Sequence, residues 1–236
     1  MISVRRVYAP VREGTQPPND YPGYTSSVKR HALRAPLAIA HSLSEITGPT
    51  FEDRWNGPDA VDLTRDGKGE AQGQRIIVAG NVVDEAGRPV RHTLVEVWQA
   101  NAAGRYDHDG DQHDAPLDPH FHGSGSTVTD DEGGFRFETI RPGAYPWRNH
   151  YNAWRPAHIH FSLFGPSFAT RLITQMYFPG DPLLEIDPIF QSIPDRAARE
   201  RLISSFDNEL SQPEYALGYR WTIVLRGRDE TPMENR

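Results

Sequence analysis

Residues 145–164 of the chain read YPWRNHYNAWRPAHIHFSLF and contain two histidines separated by one residue. Residues 157–164 predict a β-strand, because isoleucine, phenylalanine and leucine favour strands and Pro156 bounds the segment. Side chains two residues apart on a strand point to the same face, so His158 and His160 should project side by side. Because neutral imidazole is the commonest protein metal ligand, the pair predicts a metal site. The alternative is an ordinary pair of strand histidines.

Strand-forming segments recur on both sides of this stretch, at residues 75–83, 93–98, 127–129, 135–140, 171–178 and 220–225. The acidic turn 130–134 joins two of these segments, which predicts a pair of strands around a tight turn. Many short strands separated by Gly and Pro turns are typical of a sandwich. We therefore expect an all-β fold: a β-sandwich of mixed and antiparallel sheets with an extended N-terminal arm and one or two short helices.

The arm and the helices are predicted from composition and spacing. Residues 1–34 are polar and rich in Pro and Gly, which indicates an extended arm. Residues 36–46 have the spacing of a short helix. A second helix should begin at Ser192 as N-cap, with Pro194 in its first turn and an apolar stripe made by Ala198, Leu202, Ile203 and Phe206. We expect a single domain over 1–236, with the arm, a helix and loops in 1–70 and the sandwich with the metal site in 71–236.

The composition excludes several classes of site and partner. The chain has 236 residues, a net charge of −7 and no cysteine. Disulfides, thiolate zinc sites and cysteine nucleophiles are therefore excluded, and a metal must be held by nitrogen and oxygen. The acidic balance disfavours nucleic acid or an acidic membrane as a partner. The start, MISVRRVYAPVREG, lacks the apolar segment of a secretion signal, and no apolar run reaches the roughly 18 residues of a membrane span. A cytoplasmic protein is expected.

Two tyrosines follow predicted strands and are candidates to complete the metal site. Tyr106 comes shortly after strand 93–98, and Tyr145 comes shortly after strand 135–140. If both phenols reached the histidines, the donor set would be two nitrogens and two oxygens. The pKa of phenol is about 10, so only a strongly Lewis-acidic cation such as ferric iron would ionise both at neutral pH. Zinc and ferrous iron prefer sets with carboxylate or thiolate ligands.

Three motifs now identify a resemblance: Gly104-Arg105-Tyr106, Arg141-Pro142-Gly143-x-Tyr145-Pro146-Trp147 and Trp154-Arg155-Pro156-Ala157-His158-Ile159-His160-Phe161. They resemble the intradiol ring-cleaving dioxygenases, and most closely the β chains of the members that act on protocatechuate. The similarity extends over most of the chain and includes Tyr24-x-Ser26-Ser27, residues 95–101, Leu117-Asp118-Pro119 and residues 219–227.

The resemblance implies a metal centre with defined ligands. In the family, one non-haem ferric ion per chain is bound by two tyrosinates and two histidines. The matching residues here are Tyr106, Tyr145, His158 and His160, with a hydroxide as fifth ligand. The substrate diol displaces the hydroxide and, by analogy, Tyr145, and the displaced groups can take the diol protons.

The resemblance also implies a set of residues around the substrate. Arg155 should lie beside the substrate ring, where its positive charge suits developing carbanion character. Trp147 should pack on the ring, Gln175 should lie near the diol and oxygen, and Tyr24 of the arm should help to bind the substrate carboxylate. This chain departs from many relatives at Asp107, where they have a basic residue.

The implied reaction is cleavage of protocatechuate (3,4-dihydroxybenzoate) by dioxygen to 3-carboxy-cis,cis-muconate, in aromatic catabolism through the β-ketoadipate pathway. The implied partner is a homologous α chain in an α/β hetero-oligomer. Two alternatives stay open: catechol or hydroxyquinol as substrate, and a non-catalytic β-sandwich subunit. The second histidine pair, His120 and His122, and the acidic loop 107–114 are expected to be solvated loops.

Overall fold

The computed structural model describes residues 11–29, 32–34, 62–151, 153–164 and 172–234. The helix expected over residues 36–46 lies outside these ranges. Ten strands follow one another along the described chain: β1 (Arg75–Val83), β2 (Leu94–Trp98), β3 (Ser124–Val128), β4 (Gly134–Ile140), β5 (Tyr145–Trp147), β6 (Ala153–Arg155), β7 (His158–Phe164), β8 (Leu172–Tyr177), β9 (Ser205–Gln212) and β10 (Ala216–Val224). The helical elements are short: 3-10 turns at Ser27–Lys29 and Pro182–Glu185, α1 (Pro188–Gln191) and α2 (Arg196–Glu200).

The strands form two four-stranded sheets and one small hairpin. The first sheet has the order β4-β1-β10-β9 and is mixed, because β1 and β10 run parallel while the other neighbours are antiparallel. The second sheet has the order β3-β2-β7-β8 and is antiparallel throughout. The hairpin joins β5 to β6. This arrangement confirms the expected all-β sandwich.

The core lies between the two sheets. Phe161 of β7 contacts Phe135 of β4 and Trp221 of β10, with ring centroids 5.7 and 4.9 Å apart. The apolar side chains of β7, at Ile159, Phe161 and Leu163, all belong to this core. Because strand side chains alternate, the intervening residues of β7, including both histidines, point to the opposite face of the sheet. The packing of the core thus fixes where the histidine pair projects.

The two strands expected around the acidic turn 130–134 are present as β3 and β4, but they do not pair with each other. β3 pairs with β2 in the second sheet, and β4 pairs with β1 in the first. The turn carries the chain from one sheet to the other, and the Asp130 carboxylate accepts hydrogen bonds from the backbone N–H groups of Glu132 and Gly134 at 2.9 and 2.7 Å. A tight turn therefore does not by itself specify a hairpin.

The prediction of a single helix from Ser192 to Phe206 is wrong. Two aspartates cap two separate short helices: Asp187 begins α1 and Asp195 begins α2. Ser192 lies at the C-terminus of α1 and Phe206 lies in β9. The two helices are separated at Pro194, which has no backbone N–H to continue a helical hydrogen-bond ladder.

Residues near both ends of the described chain, 14–16 and 233–234, are held against the sandwich. After β10, the backbone N–H of Glu234 donates to the carbonyl of Ile173 in β8 at 2.8 Å, and Met233 N–H donates to the side chain of Gln16 at 2.8 Å. The arm is also attached at Gly14, whose carbonyl accepts a hydrogen bond from Asp195 N–H at 2.9 Å. None of the helices in the described ranges has the length and apolar character needed to cross a membrane.

Candidate metal centre

The two histidines of β7 meet at their Nε2 atoms. His158 and His160 are 2% and 8% exposed, and their Nε2 atoms lie 3.2 Å apart. The Nδ1 atom of His158 lies 2.7 Å from the carbonyl oxygen of Pro156, and that of His160 lies 2.8 Å from the carboxylate of Glu234. Both acceptors lack a proton, so each Nδ1 must carry a hydrogen, and in a neutral imidazole the lone pair then lies on Nε2. The two lone pairs face the same point.

Both predicted tyrosines reach this point. The Tyr106 hydroxyl lies 3.1 Å from Nε2 of His160, and the Tyr145 hydroxyl lies 3.4 Å from Nε2 of His158. The two phenol rings meet edge to face with centroids 5.5 Å apart. The structure therefore brings all four residues of the expected donor set together.

Local backbone structure places the two tyrosines. Tyr145 lies in β5 directly opposite Arg155 in β6, so the register of this hairpin sets both side chains. Tyr106 follows Gly104, where a Cβ would lie only 2.3 Å from the carbonyl oxygen of Ala144. Gly104 also has φ +80°, which favours glycine. Glycine is thus required for the loop of Tyr106 to approach the strand of Tyr145.

Burial favours the neutral form of three of the four donors, Tyr106, Tyr145 and His158. It raises the pKa of the Tyr106 phenol well above the ordinary value, and the neighbouring Tyr145 raises it further. Burial likewise raises the pKa of Tyr145, although the charge of Arg155 opposes this. Burial and the Arg155 charge lower the pKa of His158 well below its ordinary value. A cation bound here therefore meets a neutral imidazole at His158 and phenols that only a strong Lewis acid would ionise.

Arg155 lies behind the donor cluster in a fully buried network. Its Nε lies 2.9 Å from Asp187, whose side chain is 0% exposed. Its guanidinium also donates to the side-chain carbonyl of Gln175 and, at 3.2 Å, to the Tyr177 hydroxyl. Burial would lower the pKa of Arg155, yet the Asp187 charge raises it well above the ordinary value. Arg155 is thus a fixed cation.

A cleft of about 1050 Å³ opens onto the donor cluster. Tyr106, Tyr145, His160 and Trp147 line it. The guanidinium carbon of Arg155 lies 5.6 Å from the centre of the Trp147 ring, and Tyr24 of the arm packs on the same ring at 4.8 Å. Of the expected substrate-binding residues, Trp147 therefore lines the cleft. Arg155 and Gln175 are buried behind the cleft, and Tyr24 contacts the cleft-lining residue Trp147.

The second histidine pair lies outside the donor cluster. His120 lies 3.3 Å from Asp66, and the exposed His122 lies 3.0 Å from Asp107. Both histidines precede β3 in a loop, as expected. Residues of the acidic loop, including Asp107 and Asp111, line the outer part of the cleft.

Sequence reasoning missed three residues that hold Arg155 or His160 in place: Asp187, Glu234 and Trp98. Asp187 pairs with Arg155, and Glu234 contacts His160. Trp98 of β2 stacks on the His160 ring with centroids 4.7 Å apart and an interplanar angle of 3°. Only Trp98 had a usable signal, because β2 and β7 are both predicted strands and an aromatic side chain is a common cross-strand neighbour in a sheet.

Comparison with known proteins places the chain in a family. A family model described as "Dioxygenase" matches residues 46–227, and one described as "Protocatechuate 3,4-dioxygenase beta subunit N terminal" matches residues 8–42. The chain is 59% identical over 216 residues to the protocatechuate 3,4-dioxygenase β chain of Burkholderia cepacia, which covers 91% of this chain and 92% of that one. It is 31% identical to the protocatechuate 3,4-dioxygenase α chain of Pseudomonas putida, over 82% of this chain and 88% of the relative.

A solved structure agrees with these matches. The 3-chlorocatechol 1,2-dioxygenase of Rhodococcus opacus matches with a TM-score of 0.56 and 26% identity, covering 78% of this chain and 72% of that one. The family model spans most of the present chain, and the Burkholderia relative matches along nearly its whole length. The chain therefore belongs to the intradiol ring-cleaving dioxygenase family.

Proposed function

We propose that the chain is the catalytic β chain of a protocatechuate 3,4-dioxygenase. It would cleave 3,4-dihydroxybenzoate between its two hydroxyl-bearing carbons with dioxygen and yield 3-carboxy-cis,cis-muconate, as a step of the β-ketoadipate pathway in the cytoplasm. The observation that carries the proposal is the convergence of two phenols and two imidazoles. Their donor atoms follow one another in the order Tyr106, His160, His158, Tyr145, at distances of 3.1, 3.2 and 3.4 Å. The identity to the Burkholderia β chain supports the choice of substrate.

We infer that the donor cluster holds one non-haem ferric ion. Tyr106, Tyr145, His158 and His160 would be its protein ligands. The donor chemistry fits, because two phenolates would offset much of the ferric charge and burial leaves both phenols neutral unless a strong Lewis acid ionises them. When bound, the ferric ion would supply Lewis acidity, which favours ionisation of the catechol hydroxyls and makes the ring reactive toward dioxygen.

The protein residues would bind the substrate and move its protons. Tyr145, as the displaced tyrosinate, would accept a proton from a substrate hydroxyl. Trp147 would pack against the ring, and the fixed charge of Arg155 would stabilise negative charge that develops on it. Gln175, which accepts a hydrogen bond from Arg155, would hold the guanidinium next to the diol. Both oxygen atoms end in the product, so the reaction needs no external reductant.

The arm and a partner chain would complete the enzyme. Tyr24 packs on Trp147, which would allow its hydroxyl to help bind the substrate carboxylate. We propose a homologous α chain as partner in an α/β hetero-oligomer, since the Burkholderia and Pseudomonas relatives are a β and an α chain. We also propose that residues 1–236 form one domain.

The first test is a visible absorption spectrum of the purified protein, together with any chain that copurifies, before and after anaerobic addition of protocatechuate. Charge transfer from tyrosinate to ferric iron should colour the resting protein red-brown, and chelation of the diol should shift the band. A colourless protein that contains zinc or no metal would contradict the proposed ligand set. Colour without a shift would retain the iron and favour catechol or hydroxyquinol as substrate.

The two histidine pairs of the chain provide a matched comparison for this test. His160→Ala removes one proposed ligand, and we expect loss of bound iron and of the colour. His122→Ala removes the exposed member of the other pair, and iron content should be unchanged. Equal iron content in both variants would exclude His160 as a ligand.

A further inference from the structure

The C-terminal segment, defined here as residues 231–234, places a carboxylate behind the donor cluster. It runs beside β8, where Glu234 N–H donates to the carbonyl of Ile173 at 2.8 Å and the Thr174 hydroxyl donates to the carbonyl of Pro232 at 2.7 Å. Gln16 of the arm accepts a hydrogen bond from Met233 N–H at 2.8 Å. The backbone that leads up to the Glu234 side chain is therefore fixed.

The Glu234 side chain turns inward to His160. One carboxylate oxygen lies 2.8 Å from Nδ1 of His160, and the side chain is 16% exposed. On the other side of the ring axis, Nε2 of His160 faces the donor cluster. The carboxylate thus holds the ring with its proton on Nδ1 and its lone pair toward the donor cluster.

The two histidines differ in what lies behind them. Nδ1 of His158 donates to a neutral backbone carbonyl, that of Pro156, at 2.7 Å. Nδ1 of His160 donates to a carboxylate. A hydrogen bond to an ionised acceptor is stronger than one to a neutral acceptor, and it makes the other ring nitrogen a stronger electron donor. The two imidazoles are therefore chemically unequal although they are neighbours on one strand.

The orientation of the His160 ring has two supports of different kinds. Trp98 stacks on one face of the ring and restricts its tilt. Stacking cannot choose which edge of the ring faces the cluster, because a ring flipped about its Cβ–Cγ bond, with Nε2 exchanged for Cε1 and Nδ1 for Cδ2, covers the same area. The carboxylate of Glu234 can make this choice, since it accepts only from a protonated nitrogen.

We propose that Glu234 is a positioning residue that selects the tautomer of His160 and makes it the stronger of the two imidazole donors. This inference rests on the proposed function, because it assumes that His160 binds the ferric ion. The segment at 231–234 is then part of the metal site, although it is far in sequence from the proposed ligands.

The test compares Glu234→Gln with Glu234→Ala by two readouts, iron release to a chelator and the position of the charge-transfer band. Glutamine retains a hydrogen-bond acceptor but removes the charge, so iron should stay bound while the band moves to longer wavelength, because a weaker histidine donor leaves the ferric ion more electron-poor. Alanine removes the acceptor as well, and iron affinity should fall by about 10- to 100-fold.

Asp229→Asn is the matched control, because Asp229 lies in the same part of the chain and pairs with Arg12 rather than with His160. It should keep both the band and the iron. Wild-type band position and iron release in Glu234→Gln and Glu234→Ala would overturn the inference and leave the proposed function intact. A wild-type protein without any charge-transfer band would overturn both.

Discussion

Arg155 carries a charged side chain in the interior, where the residue is only 2% exposed. An isolated buried charge is strongly unfavourable, so the guanidinium depends on its partners. Asp187 provides the only opposite charge that the described residues place in an ion pair with it. Arg155, which is proposed to stabilise the substrate ring, is thus held by Asp187, a residue that no sequence motif identified.

We expect Asp187→Asn to destabilise the protein by about 3–5 kcal/mol, because it leaves the Arg155 charge buried without its counter-ion. The rate of ring cleavage should fall as well, since the guanidinium loses its fixed orientation. Equilibrium urea unfolding and oxygen uptake with protocatechuate would measure the two effects.

Glu200→Gln is the appropriate control for this variant. It removes the charge of an ion pair with Arg196 whose side chains are 84% and 57% exposed. Exposed pairs of this kind contribute about 0.3–0.5 kcal/mol. If Asp187→Asn were no more damaging than Glu200→Gln, the buried pair could not be what holds Arg155.

At the scale of elements, the loop before β1 explains the position of His120, one member of the second histidine pair. Asp66 accepts hydrogen bonds from the backbone N–H groups of Lys68 and Gly69 at 2.8 and 3.0 Å, and its other oxygen faces His120. The backbone N–H of Lys68, with that of Gly69 and the His120 side chain, lowers the pKa of Asp66 to about 2. His120 therefore has a structural partner, which agrees with its exclusion from the donor cluster.

This lowered pKa predicts a specific pH dependence. The carboxylate should stabilise the fold above the unfolded-state pKa of 3.8, and this contribution should be lost as the pH falls toward about 2. Asp66→Asn should thus reduce the loss of stability between pH 5 and pH 2.5, measured by urea unfolding at each pH. Asp131→Asn, at an exposed turn position, is the control. The same pH dependence in Asp66→Asn and wild type would contradict the assignment.

The element scale also shows what sequence patterns could predict. The two-residue alternation of a strand was sufficient to predict that His158 and His160 lie side by side, because the alternate residues of β7 are apolar and face the core. β9 gave no such signal, since its sequence SFDNELSQ is mostly polar and lies largely exposed at the edge of a sheet. The expected helix from Ser192 failed because the apolar stripe was counted without the two capping aspartates. Local patterns therefore work where one face is buried.

The residues of the site divide in the same way: some could be predicted from local sequence, and others depend on distant segments of the chain. The four donors were found from motifs near 104–106 and 141–161. Asp187 and Glu234 were not found, because each comes from a segment far along the chain and carries no motif of its own. Only the folded sandwich brings these carboxylates to Arg155 and His160.

At the scale of the whole molecule, the arm is tied to the hairpin that carries Tyr145. The side chain of Asn149 accepts a hydrogen bond from Ser26 N–H at 2.9 Å and donates to the Ser26 hydroxyl at 2.7 Å. Its backbone carbonyl accepts from Thr25 N–H at 3.0 Å. These contacts hold Tyr24 on Trp147.

We expect Asn149→Ala to raise the KM for protocatechuate with little change in kcat. Two hydrogen bonds that hold the arm would be lost, at about 1–2 kcal/mol in total, which corresponds to about 5- to 30-fold in KM. The proposed ligands are untouched, so turnover at saturation should persist. Steady-state oxygen uptake measures both constants.

Asn208→Ala, on the exposed face of β9, serves as the control for this variant and should leave both constants unchanged. An unaltered KM in Asn149→Ala would argue against a role for Tyr24 in binding the substrate. A fall in kcat alone would show instead that the hairpin, and not the arm, had been disturbed.

The parallel pairing of β1 with β10 has a consequence for how the chain acquires its structure. Ile76 lies beside Leu217, and the register continues to Val83 beside Val224. Contacts between such distant residues form slowly, because a long loop must close before they yield any stabilisation. During synthesis β1 has no partner on this side until residues 216–224 have left the ribosome. The first sheet is therefore completed long after β1 has been made, and the Glu234 carboxylate behind His160 is made later still.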